Sequence, residues 1–418
     1  MTTMLHIAPS PLPIRAINRV GGFINALGAG HASLEPQSLI EAAIKQSGLD
    51  DFGEGPHLDA LQRLCTALED EAQLSFLGRY LVRHQLLKGL LDQLHLQDWF
   101  RRHPEIADEK IEQPLIIIGM PRTGTTILHE LMTLDAANRN PLFWEVAHPF
   151  PPPEKASYTT DARIQLHRRE LDFSHYLMPE VQKMHRMGTQ LPQECVAVTA
   201  YVFTSMLYNT IFYIPSYTHW LRHGTDHAAA FRFHRRFHQL LQWRNKGARW
   251  VVKSPAHLWM LPALLKEYPD ARLVQTHRDP LRILSSLTSL SATLRQAYST
   301  HIDTQVFARE WSDTCAWALN ASLAARQSGI IQPERVADLQ FRDFMQTPAR
   351  CVQSIYDRFA LPFPATMAAD IDNYIAANPS DKHGGHQHSF ADIGLDLAQE
   401  RAKVRAYQDY FGVASDVL

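Results

Sequence analysis

Two hydrophobic rhythms alternate along this chain. Between residues 34 and 105, apolar positions recur every three or four residues. SLEPQSLIEAAIKQSGL opens on a Ser/Pro signal and closes at Gly48, and EAQLSFLGRYLVRHQLLKGLLDQLHLQDWF continues the period. That spacing predicts a helical cap. At Leu115–Ile118 the rhythm becomes a short unbroken apolar run between Pro114 and Gly119. The run is rich in β-branched residues and too short for a buried helix, so it predicts a strand covered on both faces. The helical stretch ILHELMTL follows at once. RWVVK (249–253) and ARLVQTH (271–277) repeat the pattern, leading into WMLPALLKEY and LRILSSLTSL, and PERVADL (333–339) is a further strand candidate.

Strand followed by helix, repeated, predicts an α/β fold: a doubly wound parallel sheet of the phosphate-loop type. The first two strands are separated by about 130 residues, far more than an ordinary crossover needs. That stretch opens with PFPPPEKA and otherwise reads as helical, so a large insertion over about 146–247 is expected to carry substrate recognition. The expected organisation is a helical N-terminal extension over 1–109 and a catalytic domain over 110–418.

Composition narrows the class without naming a chemistry. Apolar residues make up 45% and charged residues 20% of 418, the balance of a soluble globular protein. A net charge of −2 gives no reason to expect a nucleic-acid partner. FRFHRRFHQLLQWRNK (231–246), the one stretch with a basic, aromatic character, has the spacing of a core-facing helix with a solvated basic side. Cys65, Cys195, Cys315 and Cys351 lie far apart, which fits a reduced, cytoplasmic protein with buried thiols. No secretory signal opens the chain. The most membrane-like window, TAYVFTSMLYNTIFYI (199–214), is too short and too polar to span a bilayer and is expected to be a buried or pocket-lining helix.

Four features fall where ligands bind such sheets, at the carboxyl ends of strands. The first is GMPRTGTT (119–126), which fits G-x-x-x-x-G-K-[ST] except that Thr125 replaces the lysine. Backbone N–H groups and the hydroxyls of Thr123, Thr125 and Thr126, at the start of a helix, make an anion site. The second is Lys253 of KSPAHL, held at a strand end by Pro255. The third is THRDPLRILSS: Asp279 reads as an N-cap and Pro280 as the first helical residue, so Arg278 and the helix N-terminus favour one anion, with Ser286 two turns on. The fourth is Glu145 of NPLFWEVAHP, whose apolar neighbours would raise its basicity toward that of a general base.

GMPRTGTT, WEV, WVVKSPAHL and THRDPLRILSS, in that order, resemble the sulfotransferases that use 3′-phosphoadenosine-5′-phosphosulfate, in their bacterial branch, which is also similar to tyrosylprotein and heparan sulfotransferases. The resemblance covers residues 110–365. It implies that Arg122, Thr123, Gly124, Thr125 and Thr126 hold the 5′-phosphosulfate, and that Arg278 and Ser286 hold the 3′-phosphate. Lys253 and Arg122 would stand at the bridging oxygen. Glu145 matches the base of the tyrosylprotein branch. The histidine that serves cytosolic relatives two residues after the lysine is replaced by Pro255, leaving His257 as the alternative base. In QFRDFMQTP (340–348), Phe341 takes the place of a usual tyrosine, which leaves it stacking or packing. The segment over about 380–418, with HGGHQHSFADIGL, is similar to one that closes over the donor.

The resemblance implies a hydroxylated small-molecule acceptor, release of adenosine 3′,5′-bisphosphate, and no metal ion. One phosphate departs and no β/γ chain is spanned, so the loop lysine is dispensable. A phosphate-loop kinase is the rival, as are a nucleotide-binding protein without catalysis and a metal site at His383, His386 and His388. The aromatic residues Tyr201, Phe203, Tyr208, Phe212, Tyr213, Tyr217 and Trp220 suggest an apolar or aromatic acceptor, although a core helix would carry the same set.

Overall fold

The computed structural model describes residues 5, 7–27, 30–379 and 389–417. Its centre is a five-stranded, all-parallel sheet: β1 (Leu115–Ile118), β2 (Asn138–Arg139), β3 (Arg249–Lys253), β4 (Arg272–His277) and β5 (Val336–Gln340), in the order β2-β3-β1-β4-β5. The chain winds to one side of β1 for β2 and β3 and to the other for β4 and β5. The crevice where the winding reverses opens at the carboxyl end of β1.

The apolar run of β1 is explained by helices on both faces. Ile116 and Ile118 join a core shared with Val252, Leu273 and Leu284, while Leu115 and Ile117 join a second with Leu128, Val274 and Ile355. Burial of both alternating sets removes the polar positions a one-sided strand would show.

The helical cap forms as its spacing predicts. Helix Pro36–Ser47 ends at Gly48 with φ 70°, a left-handed C-cap that glycine adopts without strain. Helix Phe76–Arg102 follows after Ser75 caps it through the Gly78 N–H. Leu39, Leu64, Leu86 and Leu94 share the first core with the sheet residues, so the cap is continuous with the centre of the molecule.

Two expectations change. The 199–214 window is not one helix: Cys195–Thr199 runs into a short 3-10 turn, Phe203 takes φ 52°, and Ser205 caps a new helix, Met206–Ile211. Its polar residues mark that break, and among the described residues no helix is long and apolar enough to cross a membrane. The fifth strand begins at Val336, with Pro333–Arg335 forming a 3-10 turn before it. Proline at that turn has no N–H to offer a sheet.

Candidate active site

The opening loop is shaped by two glycines. Gly119 has φ 147°, and a Cβ there would lie 2.1 Å from Thr276 Oγ1 on the neighbouring strand. Gly124, at φ 88°, precedes helix Thr125–Met132, and between the two Arg122 is held at φ 70°. Gly119→Ala is therefore expected to lower stability by ~2 kcal/mol or more, from strain plus the clash, and to abolish anion binding at the loop. Thermal melting and phosphate titration check both effects.

The three loop hydroxyls do not act alike. Thr123 is buried, donates to the Met120 carbonyl at 2.6 Å and meets Thr276 Oγ1 at 2.6 Å, so it ties the loop to β4. Thr126 is reached from across the crevice by Lys253 Nζ at 3.3 Å.

Two arginines close the β4 side. Arg122 Nε donates to Ser286 Oγ at 3.0 Å and its terminal nitrogen to the Met184 carbonyl. Arg278 donates to the Arg122 carbonyl at 2.8 Å. Its guanidinium lies 4.0 Å from the centroid of the Phe341 ring, so the aromatic in the tyrosine position is a packing platform. Helix Pro280–Arg295 begins as predicted, with Asp279 capping the Leu281 N–H. Asp279 also pairs with Arg401 and accepts from the Asp416 and Val417 N–H groups, fastening the C-terminal residues beside Arg278.

Neither Arg122 nor Arg278 has an ion pair with a carboxylate among the described residues. Burial lowers the pKa of both; for Arg278, burial and the nearby Arg282 charge bring it down to about 10. Desolvated guanidiniums without a carboxylate partner are the electrostatic form of an anion site.

Lys253 ends β3. It sits opposite Ile117, and the next N–H, of Ser254, donates to the Ile117 carbonyl at 3.1 Å. Its ammonium is buried and forms an ion pair with Glu194, the residue that precedes helix Cys195–Thr199. Burial would raise the Glu194 pKa, but the Lys253 charge, with His185 beside it, holds the carboxyl below its ordinary value. Burial first, and then the cations Lys253 and Arg122, bring His185 down to about 4 despite Glu194, so this ring is neutral at physiological pH.

The geometry brings Arg122, Thr126, Lys253, Arg278 and Ser286 together and leaves the two expected bases outside the group. Glu145 is fully buried, and Arg139 clamps its carboxylate with both terminal nitrogens. It also accepts from the Leu142 N–H and the Tyr158 hydroxyl, each at 2.9 Å. Three of these donors meet Oε2 and one meets Oε1, so Glu145 is engaged as a structural anchor in a buried ion pair with Arg139. Apolar neighbours in the sequence could not reveal Arg139 as its partner.

His257, the alternative, is sealed in the core. Its ring packs against Phe231 and His234, neither nitrogen has a hydrogen-bond partner, and burial drives its pKa down to about 3. The site residues that sequence reading missed are Glu194 and His185. They lie in the insertion, in MHRMGTQLPQE, where no spacing marks them.

The aromatic residues of the insertion are mostly core. Tyr201, Phe203, Tyr208, Phe212 and Tyr217 are buried, and the hydroxyls of Tyr201, Tyr208 and Tyr217 donate to backbone carbonyls. They do not by themselves outline an acceptor pocket. His383, His386 and His388 lie outside the described residues.

Residues 114–365 match the sequence model of the sulfotransferase family. Omega-hydroxy-beta-dihydromenaquinone-9 sulfotransferase Stf3, from Mycobacterium bovis and from Mycobacterium tuberculosis, is 22% identical over 285 residues, 66% of this chain and 70% of the relative. Among solved structures, sulfotransferase STF1 from Mycobacterium tuberculosis superposes with a TM-score of 0.78 at 29% identity, covering 88% of this chain and 98% of that one. Sulfotransferase STF9 from Mycobacterium avium gives 0.82 at 26%, covering 91% and 98%. The family match spans more than half of the chain and coincides with the sheet and its loop. The chain therefore belongs to the sulfotransferase family, and its activity is sulfuryl transfer.

Proposed function

We propose that the sulfuryl donor is 3′-phosphoadenosine-5′-phosphosulfate, that the acceptor is a lipophilic alcohol, and that Glu194 takes the acceptor's proton. The observation that carries this reading is the position of Lys253 between the loop hydroxyl of Thr126 and the carboxylate of Glu194. Loop residues 122–126 receive the 5′-phosphosulfate, and Arg278 with Ser286 receives the 3′-phosphate. Attack in line at sulfur then leaves negative charge on the bridging oxygen, where Lys253 and Arg122 offset it. These cations belong to the chain, and the reading invokes no metal ion.

The ion pair also supplies a way to time the base. In the free enzyme Lys253 holds Glu194 ionised and weakly basic. As charge grows on the departing oxygen, Lys253 is shared with it, and Glu194 becomes basic enough to accept a proton. The sign follows from the lowered pKa: Glu194 is charged above it and inactivated as pH falls through it. The acid limb of kcat/KM, which reports the free enzyme, is expected below the ordinary glutamate value of about 4.3. The limb of kcat is expected at higher pH. Coincident limbs would remove the exchange of partners from the mechanism.

The lipophilic acceptor rests on the Stf3 relative, which is named for a hydroxylated menaquinone derivative. The four buried, unpaired cysteines support a reducing, cytoplasmic setting. Titration calorimetry tests the donor. Adenosine 3′,5′-bisphosphate is expected to bind at least tenfold more tightly than AMP, and Arg278→Met to erase that margin. Tight ATP binding without bisphosphate binding would favour the kinase reading.

A further inference from the structure

The helix Leu12–Ala26 is docked by one face and bare on the other. Gly21 lies against the Phe76 ring, where a Cβ would come within 2.1 Å, Ile14 is buried, and Asn18 accepts from the Leu77 N–H at 2.9 Å. These contacts fix the rotation of the helix. The opposite side carries Leu12, Ile17, Val20, Phe23 and Ile24, continued by Leu27 just after the helix. Exposure there runs as high as 72% at Leu12, 68% at Phe23 and 70% at Leu27, and six of the 14 large exposed hydrophobics of the described residues fall in this short segment.

At 100° per residue, these six side chains, with Ala16 and Pro13 between them, fill a continuous arc of about 140°. The arc extends along the whole helix, about 22 Å for its 15 residues. Arg15 and Arg19 stand one turn apart along one border of the arc, and both are exposed. No Asp or Glu occurs before Glu35.

We infer that this helix seats the protein on an anionic lipid bilayer, its apolar arc in the acyl boundary and Arg15 and Arg19 at the headgroup phosphates. An apolar arc that runs evenly along the exposed side of a helix suits a fluid bilayer better than a shaped protein partner. The cationic border, in a segment that carries no acid before Glu35, gives the sign of the lipid. The helix lies in the surface and does not cross it, because its other face is occupied by the rest of the protein. This inference stands apart from the sulfuryl-transfer reading, and binding tests it without reference to activity.

The full chain is mixed with large vesicles of phosphatidylcholine alone or with phosphatidylglycerol at one third, and bound protein is read by flotation. The protein is expected to float with the anionic vesicles, at least tenfold more strongly than with phosphatidylcholine, and to be released by high salt. Phe23→Ser with Leu27→Ser should reduce binding at least tenfold with an unchanged melting temperature, since both side chains are exposed. Arg15→Gln with Arg19→Gln should remove the preference for anionic lipid. Equal flotation of the serine variant and the parent would overturn the inference. So would sedimentation showing a dimer that the serine variant dissolves, with no vesicle binding, because the arc would then be covered by a second copy of the chain.

Discussion

Glu194→Gln is expected to reduce kcat by about 10²- to 10⁴-fold, the range for removing a positioned general base. Glutamine keeps the size and one acceptor oxygen of glutamate, so Lys253 retains a hydrogen-bond partner and the crevice keeps its shape. What is lost is the capacity to take the acceptor's proton. With donor binding proposed to rest on the loop, Arg278 and Ser286, the dissociation constant of adenosine 3′,5′-bisphosphate is expected to stay within a few-fold of the parent. A variant with full turnover would remove Glu194 from the chemistry. One that failed to bind the bisphosphate would assign it to the donor site.

Glu145→Gln is expected to have the opposite signature. Its carboxylate is fully buried and shared among Arg139, Leu142 N–H and Tyr158. Removing one partner of such a pair leaves a buried guanidinium without its countercharge, at a cost of about 3–5 kcal/mol. The cost should appear in chemical denaturation as a lower midpoint with an unchanged slope. At temperatures where the variant remains folded, kcat is expected to fall less than threefold. Arg139→Met should destabilise similarly, and the double variant should recover part of the loss, because neither charge is then left alone.

The two glutamates show what the sequence could and could not disclose. The strands, the loop, Lys253 at the end of β3, and the Asp279–Pro280 helix start were legible because each is fixed by a short local rule: an unbroken apolar run, a glycine spacing, a cap. The strand order brings these rules together at one crevice, and the parallel alternation already implied that convergence. A general base is set by what surrounds its carboxylate in space. Glu145 stood among apolar residues, the setting in which a carboxylate becomes basic, but its buried partner Arg139 fulfils a structural demand that no local pattern records. Glu194 lies in an irregular part of the insertion, and only the folding of 181–194 across the loop brings it to Lys253. The same limit applies to the 199–214 window: its apolar content was visible, but the left-handed turn at Phe203 that breaks it was not.

The carboxylate beside Lys253, and not the one paired with Arg139, is expected to accept the proton during sulfuryl transfer. Single-turnover transfer from labelled 3′-phosphoadenosine-5′-phosphosulfate to a long-chain hydroxylated acceptor tests it most directly. The parent, Glu194→Gln and Glu145→Gln are compared at a temperature where all three are folded. A loss of at least 100-fold is expected in the Glu194 variant and near-parental transfer in the Glu145 variant. The reverse order, with Glu194→Gln active and Glu145→Gln inert, would contradict it.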